Sequence, residues 1–304
     1  MKNILVTGAT GFIGSSLVSK LTSDYNIHAP VRNFPPGPTK NVNYYKCSDF
    51  HDFTFFPSAI KIDYVIHLAG AAHGKVSEDM FFTINVAYTL KLLEECRIRG
   101  VSRFIFLSSI GVNGNCSTVP FSNFDTPNPS DPYSKSKSEA EKNLKQLCLE
   151  YGIELVIIRP PLVYGKSAPG NFSSLLKVIY SNIPLPLASI NNSRSFVHLD
   201  NLNSLILICL THENAKNRTF LVSDGDDISI SKFIKLMILH SGSKTICFPL
   251  SLSILRFLAF ILGRTSMLNK LTSDLQVDIS YTANVLGWKP IVNVEEGLKR
   301  CFSS

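Results

Sequence analysis

No two cysteines of this chain form a CxxC pair, and no repeat or low-complexity tract interrupts its 304 residues. The seven cysteines (Cys47, Cys96, Cys116, Cys148, Cys209, Cys247 and Cys301) are scattered and odd in number. That pattern argues against a zinc ribbon or a disulfide framework and reads as reduced thiols in a cytosol. No metal site is expected. Uncharged apolar runs never reach the ~18 residues of a spanning helix, so no stable membrane insertion is expected. The first residues already read as a strand, which leaves no room for a signal peptide, and a cytoplasmic location is expected. Charged residues are 17% against 45% hydrophobic, so material for a full core is present. The net charge of +7 is dispersed, with local density only at Lys135/Lys137 and Lys142/Lys145. A nucleic-acid stripe is therefore not expected, whereas a small anionic substrate such as a nucleotide diphosphate suits the balance.

What is present begins with residues 2–21, KNILVTGATGFIGSSLVSKL. Ile4, Leu5 and Val6 are a buried-strand run, and Ile13, Leu17 and Leu21 make a helical stripe. Between them lie Gly8, Gly11 and Gly14. Gly8 lets the chain turn out of the strand, Gly11 lets backbone approach a pyrophosphate, and Gly14 lets helix and strand pack closely. Free N–H groups at the helix start would hold phosphates. The spacing is GxxGxxG, not GxGxxG. Alone it fits either a dinucleotide site or a structural glycine turn, and its strand–helix setting favours the dinucleotide.

Residues 27–31 read as a second strand. An acidic residue at its end would bind the ribose hydroxyl of NAD. None is there: Val31 and Arg32 occupy the slot, and Asp24 lies before the strand. Arg32 can receive a 2′-phosphate, which favours NADP over NAD. Residues 43–47 form a third strand. Asp49 beyond it either accepts from the adenine amino group or caps a helix. Residues 64–68 are a fourth strand, followed by the small residues Ala69, Gly70, Ala71 and Ala72. A long helix spans 78–99 and carries Asn85 on a buried face. Strands at 104–108 and 154–158 continue the alternation, which gives a parallel, doubly wound α/β sheet. Prolines then break the rhythm, with further strands at 196–198 and 219–222. Residues 251–262 (SLSILRFLAFIL) are read as a packed helix and not a membrane-surface one, because Arg256 is their only charge. The expected division is a dinucleotide-binding domain at 1–165, to which 195–224 returns, and a substrate domain at 166–304.

A second informative stretch is Pro132, Tyr133, Ser134, Lys135, Ser136, Lys137. Asp131 and Pro132 look like a helix start, so Tyr133 and Lys137 share one face. An ammonium beside a phenol lowers the phenol's pKa and makes it a usable acid or base. A surface pair on a lysine-rich helix is the alternative for this motif alone. Ser108 and Ser109 end the fifth strand, where an open α/β sheet binds ligands. A serine there can bond a substrate oxygen and share a proton with the tyrosine. Glycine turn, serine and YxxxK in chain order are far more specific than any one of them.

On TGATGFIG, HLAGAA, TINV, FLSSIGVNG, DPYSKSK, RPPLVYG and RSFVHLDNL, the chain resembles the extended short-chain dehydrogenases/reductases, in the nucleotide-sugar epimerase/dehydratase family. The resemblance runs from Lys2 to about Trp288. It implies a Rossmann-type sheet with a smaller, mostly C-terminal α/β substrate domain, an NADP or NAD cofactor and a UDP-sugar substrate. It implies catalysis by Ser109, Tyr133 and Lys137. Cofactor contacts are implied at Gly8, Gly11, Phe12, Ile13, Gly14, Arg32, Asp49, Phe50, Leu68, Ala69, Gly70, Asn85, Tyr133, Lys137, Pro160 and Val163. Substrate contacts are implied at Ser109, Asn171, Leu187 and Arg194. A homodimer would pair through the helices near 78–99 and 131–150. The missing acidic residue after the second strand is one departure from the family pattern, and the segment after the serine holds another. Val112, Asn113 and Gly114 replace a VYG common in the epimerases, and Ile110 replaces the acidic residue that follows the catalytic serine or threonine in dehydratases, which argues against 4,6-dehydration.

The expected function is redox chemistry at a sugar C4. Arg32 and the wording of the motifs favour a 4-keto reductase that turns a UDP-4-keto-6-deoxy-N-acetylhexosamine into a UDP-N-acetylquinovosamine-type sugar for O-antigen synthesis. The alternative is a UDP-hexose 4-epimerase with tightly bound NAD. A non-catalytic NADP-binding sensor is a third reading, set against it by the retention of both Tyr133 and Lys137.

Overall fold

The computed structural model describes residues 1–47, 56–57, 60–72 and 77–303. Its strands are β1 (Lys2–Thr7), β2 (Tyr25–Val31), β3 (Val42–Lys46), β4 (Tyr64–His67), β5 (Arg103–Leu107), β6 (Glu154–Arg159), β7 (Leu162–Tyr164), β8 (Phe196–His198) and β9 (Arg218–Leu221). Its helices are α1 (Phe12–Leu21), α2 (Glu78–Phe82), α3 (Tyr88–Ile98), α4 (Pro132–Tyr151), α5 (Asn171–Tyr180), α6 (Leu199–Thr211), α7 (Ile230–Ser241), α8 (Leu252–Ile261), α9 (Thr265–Thr272), α10 (Ser280–Leu286) and α11 (Val294–Phe302). Seven strands form one parallel sheet in the order β3-β2-β1-β4-β5-β6-β9, and β7 pairs in parallel with β8.

The central strands are apolar without alternation because helices cover both faces. On one face, Leu17 and Leu21 of α1, Leu202, Leu205 and Ile206 of α6, and Trp288 pack on Ile4, Val6, Ile66, Ile105 and Ile158. On the other, Leu92 and Leu93 of α3 and Ala140 and Leu144 of α4 pack on Val65, Phe104, Phe106 and Ile157. A third core joins α5, β8, α7 and α11 through Phe172, Phe196, Phe233 and Leu298. There Phe196 and Phe233 stack at 4.1 Å between centroids.

Two expectations are corrected. The helix at 78–99 is not uniform: a π turn at Thr83–Ala87 separates α2 from α3, and Asn85 sits on it. Such a turn inserts a residue and re-aims side chains, often at functional sites. The helix near 251–262 forms, but it is not packed as expected. Only Leu255 and Ala259 are buried, while Phe257 is 62% and Phe260 75% exposed. Its buried contacts are with Leu268 of α9 and Leu250, a small cluster of its own. An all-round apolar pattern predicts burial only where enough partner surface exists, and here one short helix supplies it.

Candidate active site

The strand order reverses between β1 and β4, and the crevice beyond their carboxyl ends is where a sheet of this kind binds ligands. Gly8 turns the chain there with φ +70°, and a Cβ on it would lie 2.9 Å from Ala69 N. A Cβ on Gly14 would lie 2.1 Å from Gly8 O, so only glycine lets α1 start directly on the turn. Gly11 is the residue before α1, and neither a capping side chain nor an acidic residue occupies that helix start. A Cβ on Gly11 would meet only Gly8 O, at 3.2 Å. Uncapped N–H groups beside side-chain-free backbone fit a pyrophosphate. Ile13 and Leu68 pack on the sheet core, while the Phe12 ring lies against Gly165. Arg32 follows β2 and is exposed. Asp49 and Phe50 lie outside the described residues.

Beneath the crevice runs a buried relay that sequence reasoning missed. Thr89 Oγ1 donates to Asn85 O at 2.8 Å and so accepts from His67 Nε2, also at 2.8 Å. His67 Nδ1 then accepts from Thr7 Oγ1 at 2.7 Å, and Thr7 Oγ1 accepts from Ala69 N at 3.2 Å. The hydrogen-bond network thereby assigns His67 the Nε2–H tautomer. Burial, with the Lys137 charge adding to it, pushes the imidazole down to about 3. His67 is therefore neutral when folded, whereas the unfolded chain takes up its proton below pH ~6.5. Stability is lost as pH falls from there towards the folded value, by about 1.4 kcal/mol per unit. Between roughly pH 7 and pH 5, urea unfolding of His67→Gln should show a loss about 2 kcal/mol smaller than native. Equal losses would contradict this assignment.

Asn85 fastens the loop after β4 to α4. Its Oδ1 accepts from Ala71 N at 2.8 Å, and its Nδ2 donates to Ala71 O at 3.0 Å and to Ser136 Oγ at 2.9 Å. A Cβ on Gly70 would lie 3.0 Å from Asn85 Oδ1 and 3.3 Å from Lys137 Nζ. Gly70, Asn85 and Lys137 thus meet at one point.

Asp131 caps α4 by accepting from Ser134 N at 2.9 Å, with Pro132 in the first helical position. This start sets Tyr133 and Lys137 one turn apart. Gly111 lies so close that a Cβ on it would be 2.3 Å from Ser134 Oγ. The Ser109 loop therefore rests on the first turn of α4, which brings the Ser109 side chain close enough to the Tyr133 phenol to act on its pKa. Ser109 Oγ also accepts from Gly111 N at 3.1 Å. Lys137 Nζ is buried, donates to Leu107 O at 2.9 Å and lies 4.5 Å from the Phe106 ring centroid. Burial pushes Lys137 down to about 8, against the raising charge of Glu141.

The expected lowering of the tyrosine pKa is corrected. Burial pushes Tyr133 up to about 12, and the lowering influence comes from Ser109. Lys137 points its bond at Leu107 O, so it does not offset the phenol's desolvation.

Behind the three residues lies a closed polar network. Glu141, one turn beyond Lys137, accepts from Arg159 Nε at 2.9 Å and Nη2 at 2.5 Å and from Ser108 Oγ at 2.5 Å. Arg159 Nη1 donates to Asn113 Oδ1 at 2.8 Å, and all four residues are buried. Asn113, in the place of the usual Tyr, completes this network. Pro160 is buried, and its carbonyl accepts from Ile110 N at 2.9 Å, which joins the Ser109 loop to the end of β6.

Residues 4–223 match the NAD dependent epimerase/dehydratase family. The chain belongs to that family. It is 39% identical over 98% of its length to a UDP-glucose 4-epimerase of Vibrio cholerae, covering 94% of that protein. It is 24% identical over 99% of its length to a dTDP-4-dehydro-6-deoxyglucose reductase of Escherichia coli, covering 96% of that protein. The UDP-glucose 4-epimerase structure from Thermotoga maritima, solved with UDP-glucose, superposes with a TM-score of 0.80 at 25% identity, over 99% of this chain and 97% of that one.

In this epimerase/dehydratase family member the residues expected to hold substrate are spread more widely. Asn171 opens α5 and is exposed, and Leu187 is half-buried against the third core, while Val163, expected to face the cofactor, is half-buried on β7. Arg194 gives its Nη1 to Lys270 O at 2.8 Å and Ser273 O at 2.9 Å, which ties it to the end of α9. The structure gathers Gly70, Asn85, Ser109, Tyr133 and Lys137, and it engages Arg194 in holding a loop.

Proposed function

We propose that this chain is a nicotinamide-dependent oxidoreductase acting at C4 of a UDP-linked sugar, and that its reaction is 4-epimerisation. The observation that carries the chemistry is Tyr133 beside Ser109 and one turn from Lys137, whose buried amine meets Gly70 and Asn85 after β4. The preference for epimerisation over the reduction favoured by the motifs rests on the 39% identity, across nearly the whole chain, to a UDP-glucose 4-epimerase.

When bound, the dinucleotide would supply reversible hydride transfer at C4. Gly8, Gly11, Gly14, Ala69, Gly70 and Asn85 would hold it. Tyr133, in its phenolate form, would take the C4 hydroxyl proton and later return it. Ser109 bonds the same oxygen and steadies the phenolate. Lys137 would hold the cofactor with donors left over from its bond to Leu107 O. Glu141 and Arg159 keep Lys137 and Ser108 in register.

One observation favours a second reading, the reduction of a UDP-4-keto-6-deoxy sugar. Arg32 stands after β2 where an NAD site carries a carboxylate, and a net reductase draws on NADP. Two assays separate the readings. Purified protein with UDP-galactose should yield UDP-glucose on chromatography, with no net change in cofactor absorbance. Steady NADPH oxidation with the 4-keto sugar, and no UDP-glucose, would replace epimerase by reductase.

A further inference from the structure

Residues 228–273, between Asp227 and Asp274, contain six lysines and arginines and no aspartate or glutamate. The chain as a whole carries 23 acidic residues, so the bias is local. Within this cationic lobe stands the α8–α9 hairpin. Its inner side is the small cluster of Leu255, Ala259 and Leu268. Its outer side presents Ile254, Phe257, Leu258, Phe260, Ile261 and Leu262, each between 43% and 75% exposed. Arg256 and Arg264 are exposed among and beside them.

A contiguous apolar face of this kind on an otherwise polar surface marks an interaction site. Charge selects the occupant. A second copy meeting this face about a two-fold axis would bring Arg256, Arg264 and the rest of the cationic lobe against their own counterparts. An anionic bilayer offers what the face lacks: acyl chains for the aromatic and aliphatic side chains, and phosphates for the arginines and lysines. Among the described residues no helix is long and apolar enough to cross a membrane, so the hairpin would lie along the surface. We propose that the α8–α9 hairpin docks this protein on anionic phospholipid bilayers, with Phe257 and Phe260 in the acyl boundary and Arg256 and Arg264 at the headgroups. This does not depend on the reaction proposed above. Arg194, which holds the carbonyls of Lys270 and Ser273, would couple the docked hairpin to the chain entering β8.

The test is co-sedimentation of the full chain with vesicles of equimolar phosphatidylglycerol and phosphatidylcholine, against vesicles of phosphatidylcholine alone. The native protein should pellet with the anionic vesicles and remain in solution with the neutral ones. Both F257E/F260E and R256E/R264E should weaken the partition about tenfold or more, with circular dichroism spectra like the native. Three results would overturn the proposal: native protein that stays in solution with anionic vesicles, native protein that pellets equally with neutral ones, or an F257E/F260E variant that pellets like the native. A dimer on gel filtration that F257E/F260E splits would overturn it too, because a second copy would then cover the face.

Discussion

Replacing Tyr133 by phenylalanine is expected to lower turnover about a thousandfold, within the ~10²–10⁴ that a positioned acid/base group supplies. The ring stays, so its contact with Phe81 at 6.0 Å and the packing of α4 are retained. What goes is the proton carrier. Dinucleotide affinity and thermal stability should therefore stay near native values while the rate collapses. Ser109→Ala should cost less, about ten- to a hundredfold, because Ser109 steadies a proton that Tyr133 moves. A Tyr133→Phe enzyme with near-native turnover would remove the phenol from the chemistry. Isothermal titration with dinucleotide and a progress curve with UDP-sugar, run on the same preparation, separate the two effects.

The second large effect is on stability. Arg159→Met keeps most of the side-chain volume but leaves Glu141 buried without its partner. Breaking such a pair from one side costs about 3–5 kcal/mol. Asn113 loses a donor to its Oδ1 as well, which adds the cost of an unmet buried acceptor. Glu141→Met made on top of Arg159→Met should recover much of the loss, because an apolar pair of similar size removes the stranded charge. Urea unfolding of the native chain, the single variant and the double variant measures this. A single variant within about 1 kcal/mol of native would mean that Glu141 is not held as described.

The glycine turn was legible because each glycine answers a local demand. Gly8 needs a positive φ and Gly14 a contact with the turn just behind it, both within a few residues. Tyr133 and Lys137 were legible because helical spacing alone puts them on one face. β1, β4, β5 and β6 were legible from their apolar runs, β2 differs from its expected span by starting two residues earlier, and the short β7 was not among the expected strands.

What sequence reasoning missed is what forms between distant segments. His67 meets Thr7 from 60 positions away and Thr89 from 22, and nothing in either spacing announces a relay. Asn113 stood out only as a departure from VYG, and Arg159 only as the first residue of RPPLVYG. Their purpose appears once β6 lies beside α4. The acidity of Tyr133 depends on how deeply the folded chain covers the phenol, which spacing does not encode. The exposure of α8 has the same origin, since a pattern records which side chains are apolar and not how much surface is available to bury them.

The central claim is that hydride leaves and returns to one carbon while Tyr133 carries the proton. Mass spectrometry of the UDP-galactose formed from UDP-glucose deuterated at C4, with one equivalent of NAD, tests it most directly. The account predicts product that keeps the deuterium at C4 with native protein, and almost none formed by Tyr133→Phe. Product that has lost the deuterium to solvent, or no UDP-galactose from the native protein, would contradict it.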